Sequence, residues 1–198
     1  MSDFIIKECN ASESVNNRVD LMNTGDLKIR DAQLEDAERL LEIYSYYVLN
    51  TAVSFEYDVL SLEEFKERIK NTKKKYPYLV CEKAGNIIGY VYASAYSSRE
   101  AYDWTVDTSI YVDKDCRRCG AGSLLYKELE KRLKALGIEN LLAGVAWSDQ
   151  EDEYLTHDSP KFHLSQGYTE VAFMKSVGKK FDRCYDLKWY QKKINQTN

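Results

Sequence analysis

Hydrophobic residues recur at helical spacing, every three or four positions, in three segments of the chain, namely residues 34–48, 62–69 and 123–136. Ser61, followed three residues later by Glu64, forms a capping box that fixes the start of the second segment. Gly137 stands where a helix C-terminus favours glycine and ends the third. A further short helix is predicted near residues 160–165. The pattern therefore predicts four helices.

Strand-like runs fill most of the remaining chain, at residues 27–30, 78–82, 87–95, 104–112, 141–147, 168–177 and 183–190. The second, third and fourth runs follow one another directly and predict an antiparallel meander. The last two predict a hairpin that turns about Gly178. The resulting order β-α-α-β-β-β-α-β-α-β-β indicates a single mixed α+β domain built on a mostly antiparallel sheet.

The length of 198 residues suits one domain of ordinary size. Residues 1–26 are rich in Asn, Ser and acidic residues and lack periodicity, which predicts a loosely ordered extension. The domain is expected over residues 27–191, followed by a tail at residues 192–198.

The net charge of −4 offers no general attraction to nucleic acid or anionic membranes, so neither is expected as a partner. No apolar run approaches the length of a membrane span, and charged residues in positions 1–10 are unlike a signal peptide, so a cytoplasmic protein is predicted. The five scattered cysteines are predicted to be free thiols. Cys116 and Cys119 alternatively form a redox pair or half of a zinc site, but no second pair stands at ligand spacing, so no metal is expected.

A glycine-rich loop lies between the fourth predicted strand and the third predicted helix, with the sequence Arg117-Arg118-Cys119-Gly120-Ala121-Gly122-Ser123. Its glycines let the backbone approach an anion closely, and the following helix directs free N–H groups toward it. The loop lacks the Gly-Lys-Ser/Thr of a Walker A motif and the third glycine of a dinucleotide fingerprint. It predicts a cradle for a pyrophosphate group.

The spacing Arg-x-x-Gly-x-Gly resembles the coenzyme A loop of the GNAT N-acetyltransferase superfamily. Further separated motifs are similar to its phosphinothricin-acetyltransferase-like branch, at residues 50–56, 76–80, 99–106, 108–112 and 122–126. The resemblance runs from about residue 27 to residue 191. It implies the GNAT fold, acetyl-CoA as co-substrate and, from the family alone, a homodimer. Residues 187–190 would then form part of the dimer interface, or alternatively belong to the hydrophobic core.

The resemblance also implies site residues. It assigns to the cofactor Ile110, Tyr111, Val112, Arg117, Arg118, Cys119, Gly120, Ala121, Gly122, Ser123 and Asp149. It assigns to the acceptor pocket Thr51, Phe55, Glu56, Tyr78, Arg99 and Tyr102, with Arg99 expected to bind an acceptor carboxylate. The aromatic rings of Phe55 and Tyr78 are alternatively core residues.

Acetyl transfer to an amine needs a base for the ammonium proton and a proton for the departing thiolate. The branch places a glutamate base on the fourth strand, and this chain has Asp107 there, whose side chain is one methylene shorter. Alternatively, Asp107 is a solvent-facing strand carboxylate or pairs with an arginine. His163 matches the family histidine near the transfer point and is expected to protonate the thiolate or orient the acceptor. Its alternative is a helix-surface histidine.

The implied function is direct acetyl transfer to the amino group of a small amino-acid-like acceptor of the phosphinothricin or methionine sulfoximine/sulfone type. Two alternatives remain. An acidic insertion at residues 149–158 favours a cationic amine such as a polyamine or aminoglycoside. The replacement of the family Glu by Asp107 and of its Pro-Asn by Ser148 and Asp149 is also compatible with a non-catalytic acyl-CoA sensor.

Overall fold

The computed structural model describes residues 26–195, so the predicted N-terminal extension falls almost wholly outside the described residues. Four α-helices lie within this range: α1 Ala37–Asn50, α2 Leu62–Lys73, α3 Ala121–Ala135 and α4 Asp158–Ser165. It also holds seven strands: β1 Leu27–Asp31, β2 Tyr78–Lys83, β3 Asn86–Ala95, β4 Thr105–Val112, β5 Asn140–Trp147, β6 Thr169–Lys180 and β7 Arg183–Lys193. The predicted order of helices and strands is confirmed.

The seven strands form one sheet in the order β1-β2-β3-β4-β5-β7-β6. All neighbouring strands are antiparallel except β4 and β5, which run parallel. The parallel ladder is short, because its last pair is Asp107 with Leu142 although β4 continues to Val112 and β5 to Trp147. The sheet therefore forks directly after Asp107.

Helices cover both faces of the sheet. Leu125, Leu129 and Leu133 of α3 pack into one core with Val106 and Leu141. The opposite core joins α1 and α2 to the middle strands, and its members include Leu40, Tyr44, Phe65, Ile69, Tyr78 and Tyr90. Since side chains alternate along a strand, β4 directs its even-numbered residues toward α3 and its odd-numbered residues toward α1 and α2.

The final hairpin turns later than predicted. β6 continues through Gly178 to Lys180, and the turn is made by Phe181 and Asp182, which have φ angles of 51° and 56°. Gly178 stays in the ladder opposite Tyr185, and the ring of Phe55 occupies the space that a Cβ at position 178 would need. The glycine is thus required by a packing contact and not by the turn.

The described chain ends close to the last strand. The predicted domain limit at Gln191 lies within β7, and the backbone N–H of Ile194 still donates to the carbonyl of Glu139 at 2.8 Å. Within residues 26–195, no helix is long and apolar enough to cross a membrane, and no three His, Cys, Asp or Glu side chains are grouped as metal ligands.

Candidate active site

A cavity of about 730 Å³ opens beside the fork between β4 and β5. The predicted cofactor residues that line it are Ile110, Val112, Arg117, Arg118, Cys119, Gly120, Ala121, Gly122 and Ser123. The opposite wall comes from the start of α4, including Asp158, Ser159 and Phe162. The loop identified from glycine spacing and one face of β4 therefore border the same space.

The loop before α3 has the backbone of an anion cradle. Gly120 is the N-cap of α3 with a φ of 88°, and Arg118 has a φ of 59°. The first turn of a helix has backbone N–H groups without an intrahelical partner, and here they adjoin the cavity. The guanidinium of Arg117 lies 5.5 Å from the ring centre of Tyr47, and Arg118 forms an ion pair with Asp158 at 3.2 Å.

Gly122 is a tight packing point within the cradle. A Cβ there would lie 3.0 Å from the ring of Phe162, which belongs to α4. Glycine at this position lets α4 pack against the first turn of α3 while that turn remains accessible from the cavity. A narrow, N–H-rich turn flanked by arginines fits the diphosphate of a coenzyme A molecule.

Two predicted cofactor residues do not line the cavity. The ring of Tyr111 points to the other face of the sheet, where its centre lies 4.9 Å from Tyr44 and 5.4 Å from Tyr90. The carboxylate of Asp149 accepts a hydrogen bond from the indole N–H of Trp147 at 3.4 Å. The side chain of Asp149 therefore bonds to the last residue of β5 and does not line the cavity.

Asp107 lies at the branch point of the fork. Burial raises the pKa of its carboxyl from 3.8 to about 6. Its Oδ1 atom is buried and has no hydrogen-bond partner among residues 26–195. A carboxyl group with a pKa this close to neutrality can accept a proton from an ammonium group and release it again at physiological pH.

His163 is buried, with only 4% of its surface exposed, and it does not line the cavity. Its Nδ1–H donates to the carbonyl of Ser159 at 2.8 Å, which leaves Nε2 to accept from the hydroxyl of Tyr126 at 3.0 Å. Burial lowers the pKa of the imidazole, so the ring is neutral.

The hydrogen bonds of His163 lead to the fork. The hydroxyl of Tyr126 lies 3.2 Å from that of Thr108, which donates to the carbonyl of Leu142 at 2.9 Å. Thr108 directly follows Asp107, the last residue of β4 that pairs with β5, and Leu142 is the β5 partner of Asp107. The imidazole is therefore connected to the point where the strands separate, rather than facing the cavity.

The predicted acceptor residues separate into three groups, of which the first, made of Thr51, Phe55 and Tyr78, is structural. Thr51 closes the end of α1 by donating to the carbonyl of Tyr47 at 2.8 Å. Phe55 packs on Gly178 of β6. Tyr78 is 1% exposed and stacks 4.8 Å from Tyr92, so its ring belongs to the core, while its hydroxyl has no partner within residues 26–195.

The second group is the polar residue Glu56, and the third consists of the exposed residues Arg99 and Tyr102. Glu56 in the α1–α2 connection accepts from Arg68 at 2.7 Å. Arg99 and Tyr102 lie on the exposed connection between β3 and β4, where the Tyr102 ring contacts Tyr96 at 5.3 Å between centres. Arg99 is exposed on this connection and remains a candidate for an acceptor carboxylate.

Sequence reasoning missed several residues that contact the predicted site residues, namely Arg68, Tyr92, Tyr126 and Lys180. Tyr92 lies two residues after the core residue Tyr90 and on the same face of β3, a spacing that strand alternation predicts. The ammonium group of Lys180 donates to three carbonyls of the α1 end and the following loop, those of Val48, Thr51 and Ser54. No local signal distinguishes Lys180 from its neighbour Lys179.

The acidic insertion is held by basic residues of this chain. Arg183 pairs with Asp152 at 2.7 Å and with Glu153 at 3.0 Å. Glu151 accepts from the backbone N–H of His157 at 2.7 Å, and its carboxylate lies near the Lys161 ammonium. Much of the negative charge of the insertion is consequently balanced within the protein.

Known proteins match nearly the whole described chain. A family model for the acetyltransferase (GNAT) domain matches residues 29–189. Phosphinothricin N-acetyltransferase of Streptomyces viridochromogenes is 28% identical over 166 residues, covering 84% of this chain and 87% of that protein. L-methionine sulfoximine/L-methionine sulfone acetyltransferase of Salmonella typhimurium is 28% identical over 171 residues, covering 86% of this chain and 96% of that protein.

A solved structure agrees with the sequence comparisons. The phosphinothricin acetyltransferase of Sinorhizobium meliloti, a GNAT protein in complex with acetyl-CoA, has a TM-score of 0.77 and 32% identity, covering 85% of this chain and 88% of that chain. These matches confirm the predicted superfamily, branch, fold class and co-substrate. The chain therefore belongs to the acetyltransferase (GNAT) domain family, as an N-acetyltransferase with acetyl-CoA as its co-substrate.

Proposed function

We propose that this protein transfers an acetyl group to the α-amino group of a small amino-acid acceptor, with Asp107 as the general base. The observation that carries this proposal is a half-buried carboxylate with a pKa of about 6 at the branch point of the fork, on the strand whose continuation, through Ile110 and Val112, lines the cavity of the glycine loop. Relatives named for phosphinothricin and for methionine sulfoximine and sulfone support an amino-acid acceptor.

The loop from Arg117 to Ser123 would hold the diphosphate through backbone N–H groups and arginine side chains. The edge of β4 beyond Asp107, no longer paired with β5, would offer backbone hydrogen bonds to the pantetheine amides. Acetyl-CoA supplies a thioester whose carbonyl carbon bonds to the acceptor nitrogen while the carbon–sulfur bond breaks. Direct transfer is expected.

In this proposal Asp107 removes the proton that the acceptor nitrogen loses, and its Oδ1 atom is shielded from solvent. His163 acts through Tyr126 and Thr108 as a positioning residue that maintains the opening of the fork. The imidazole is neutral, and both of its nitrogens are hydrogen-bonded to protein groups. These contacts support a positioning role for His163 over direct donation of a proton to the thiolate.

The balanced charges of the acidic insertion argue against a polyamine or aminoglycoside acceptor. Recruitment of a cation needs an uncompensated negative surface, and Arg183, Lys161 and Arg118 together offset much of the negative charge of the insertion. A zwitterionic amino acid needs no such field. Its carboxylate has a candidate partner in the exposed Arg99.

We further propose a cytoplasmic homodimer with no nucleic-acid or membrane partner. Support for the dimer comes from the edge strand β6, which exposes Val171, Phe173, Met174 and Val177 beside its unpaired backbone. Support for a reducing compartment comes from the free thiols of Cys81, Cys116, Cys119 and Cys184.

A thiol-release assay with acetyl-CoA and a panel of amines tests the proposed function. The proposal expects turnover with amino acids bearing polar side chains and little with spermidine or kanamycin. Efficient acetylation of the cationic amines alone would contradict the acceptor class. Tight binding of acetyl-CoA without turnover of any amine would instead indicate an acyl-CoA sensor.

A further inference from the structure

Unsatisfied polar atoms gather on the α1–α2 face of the sheet. Three side-chain atoms are buried there without a hydrogen-bond partner among residues 26–195, namely Asp107 Oδ1, Glu56 Oε2 and the Tyr78 hydroxyl. Leaving a buried polar group unpaired is unfavourable, because the group loses its hydrogen bonds to water and gains none in the protein. Three such groups on one face indicate that a polar ligand completes them.

Tyr92 connects Asp107 to the other polar residues. The Tyr92 ring stacks on Tyr78 at 4.8 Å, and its strand position lies opposite Ser109. Burial raises the pKa of the Tyr92 phenol, Ser109 lowers it through a hydrogen bond, and the charges of Arg68, Glu56 and Asp107 each influence it. All three charged residues are therefore within electrostatic range of one phenol group.

Glu56 and Arg68 form a donor–acceptor pair within electrostatic range of Tyr92. Arg68 on α2 uses Nη2 to donate to Glu56 Oε1 at 2.7 Å, and a guanidinium has further N–H donors beyond this bond. Glu56 keeps its second oxygen, Oε2, buried and unpartnered. A ligand that reaches the pair meets a carboxylate oxygen next to a guanidinium.

We propose that Glu56 and Arg68 select the side chain of the acceptor, favouring a terminal group that carries an N–H donor beside an oxygen acceptor, as a carboxamide or sulfoximine does. Glu56 Oε2 accepts from the N–H, and Arg68 donates to the oxygen. This inference rests on the proposed function, since the acceptor amine must lie at Asp107 while its side chain extends past Tyr92.

Methionine sulfoximine and methionine sulfone provide a matched test, because the sulfoximine has an N–H group at the position where the sulfone has a second oxygen. The sulfone places an oxygen against the Glu56 carboxylate, so kcat/KM in the unaltered protein is expected to be about 10–100-fold higher for the sulfoximine. In Glu56→Gln the amide can donate to the sulfone oxygen. The preference should then fall to near unity.

Two further variants complete the experiment. Arg68→Met should raise KM for both compounds by a similar factor, because both offer an oxygen, and should leave KM for acetyl-CoA unchanged. Glu63→Gln is the control, since Glu63 is an exposed carboxylate on the same helix. Thermal melting of each variant verifies that it is folded.

The outcomes separate this inference from the function on which it rests. If both compounds are acetylated but their ratio is near unity in the unaltered protein, or is the same in Glu56→Gln, the selectivity role is wrong and the amino-acid acetyltransferase stands. If neither these compounds nor any other amino acid is acetylated, the proposed function itself fails.

Discussion

Asp107→Asn should make the protein more stable and much less active. Burial raises the pKa of the Asp107 carboxyl from 3.8 to about 6, which corresponds to about 3 kcal/mol in favour of its neutral form. The side chain keeps partial contact with solvent, so we expect about half of that value, ~1–2 kcal/mol, as the cost of burying the ionised group. The neutral asparagine removes this cost.

The pH dependence follows from the direction of the shift. Because the folded protein holds the proton more tightly than the unfolded chain, ionisation of Asp107 destabilises the fold. The cost is absent below a pH of about 4, grows between about 4 and 6, and is complete above about 6. Asp107→Asn should therefore be more stable than the unaltered protein at pH 8, with the difference vanishing near pH 4.

Urea unfolding near pH 8 and near pH 4, with kcat/KM from thiol release, measures both effects. We expect kcat/KM to fall by about 10²–10⁴-fold in Asp107→Asn, the usual range for a positioned base. Asp58→Asn, at an exposed carboxylate, is the control for charge removal. A variant that retains full activity, or is destabilised equally at both pH values, would refute the reasoning.

Three other substitutions test the surrounding contacts. His163→Phe should leave the Tyr126 hydroxyl without its acceptor and lower the free energy of unfolding by about 1–3 kcal/mol. The acidic limb of the pH profile of kcat/KM should stay in place, and its loss would contradict a positioning role for His163. Gly122→Ala should force Phe162 to move and raise KM for acetyl-CoA several-fold with KM for the acceptor unchanged, as initial-rate kinetics would show. Lys180→Met should leave three carbonyls without their donor and destabilise the fold by ~3 kcal/mol in urea unfolding, against a near-neutral Lys179→Met.

The sequence predicted the parts of the site that depend on local backbone. The loop from Arg117 to Ser123 follows from glycine spacing between a strand and a helix, and the structure brings it to the cavity. Asp107 came from a motif on a single strand. Its place at the branch point follows from the three-pair ladder with β5, which no local pattern reveals.

Residues that act through distant partners escaped prediction. Lys180 bonds to carbonyls 126 to 132 residues away, and Arg68 bonds across a connection to Glu56. The turn predicted at Gly178 was wrong for the same reason, since glycine is needed there to accommodate Phe55 from a remote loop. Long-range packing decides such positions, and neither periodicity nor turn propensity records it.

The central claim is direct acetyl transfer from acetyl-CoA to an α-amino group under the control of Asp107. The most direct measurement is mass spectrometry and NMR of the product formed from ¹³C-acetyl-CoA and methionine sulfoximine, with Asp107→Asn and the α-hydroxy analogue of the acceptor as controls. The account predicts a labelled amide on the α-nitrogen, formed by the unaltered protein and nearly absent in both controls. A label that appears only as free acetate, or an amide formed equally well by Asp107→Asn, would contradict it.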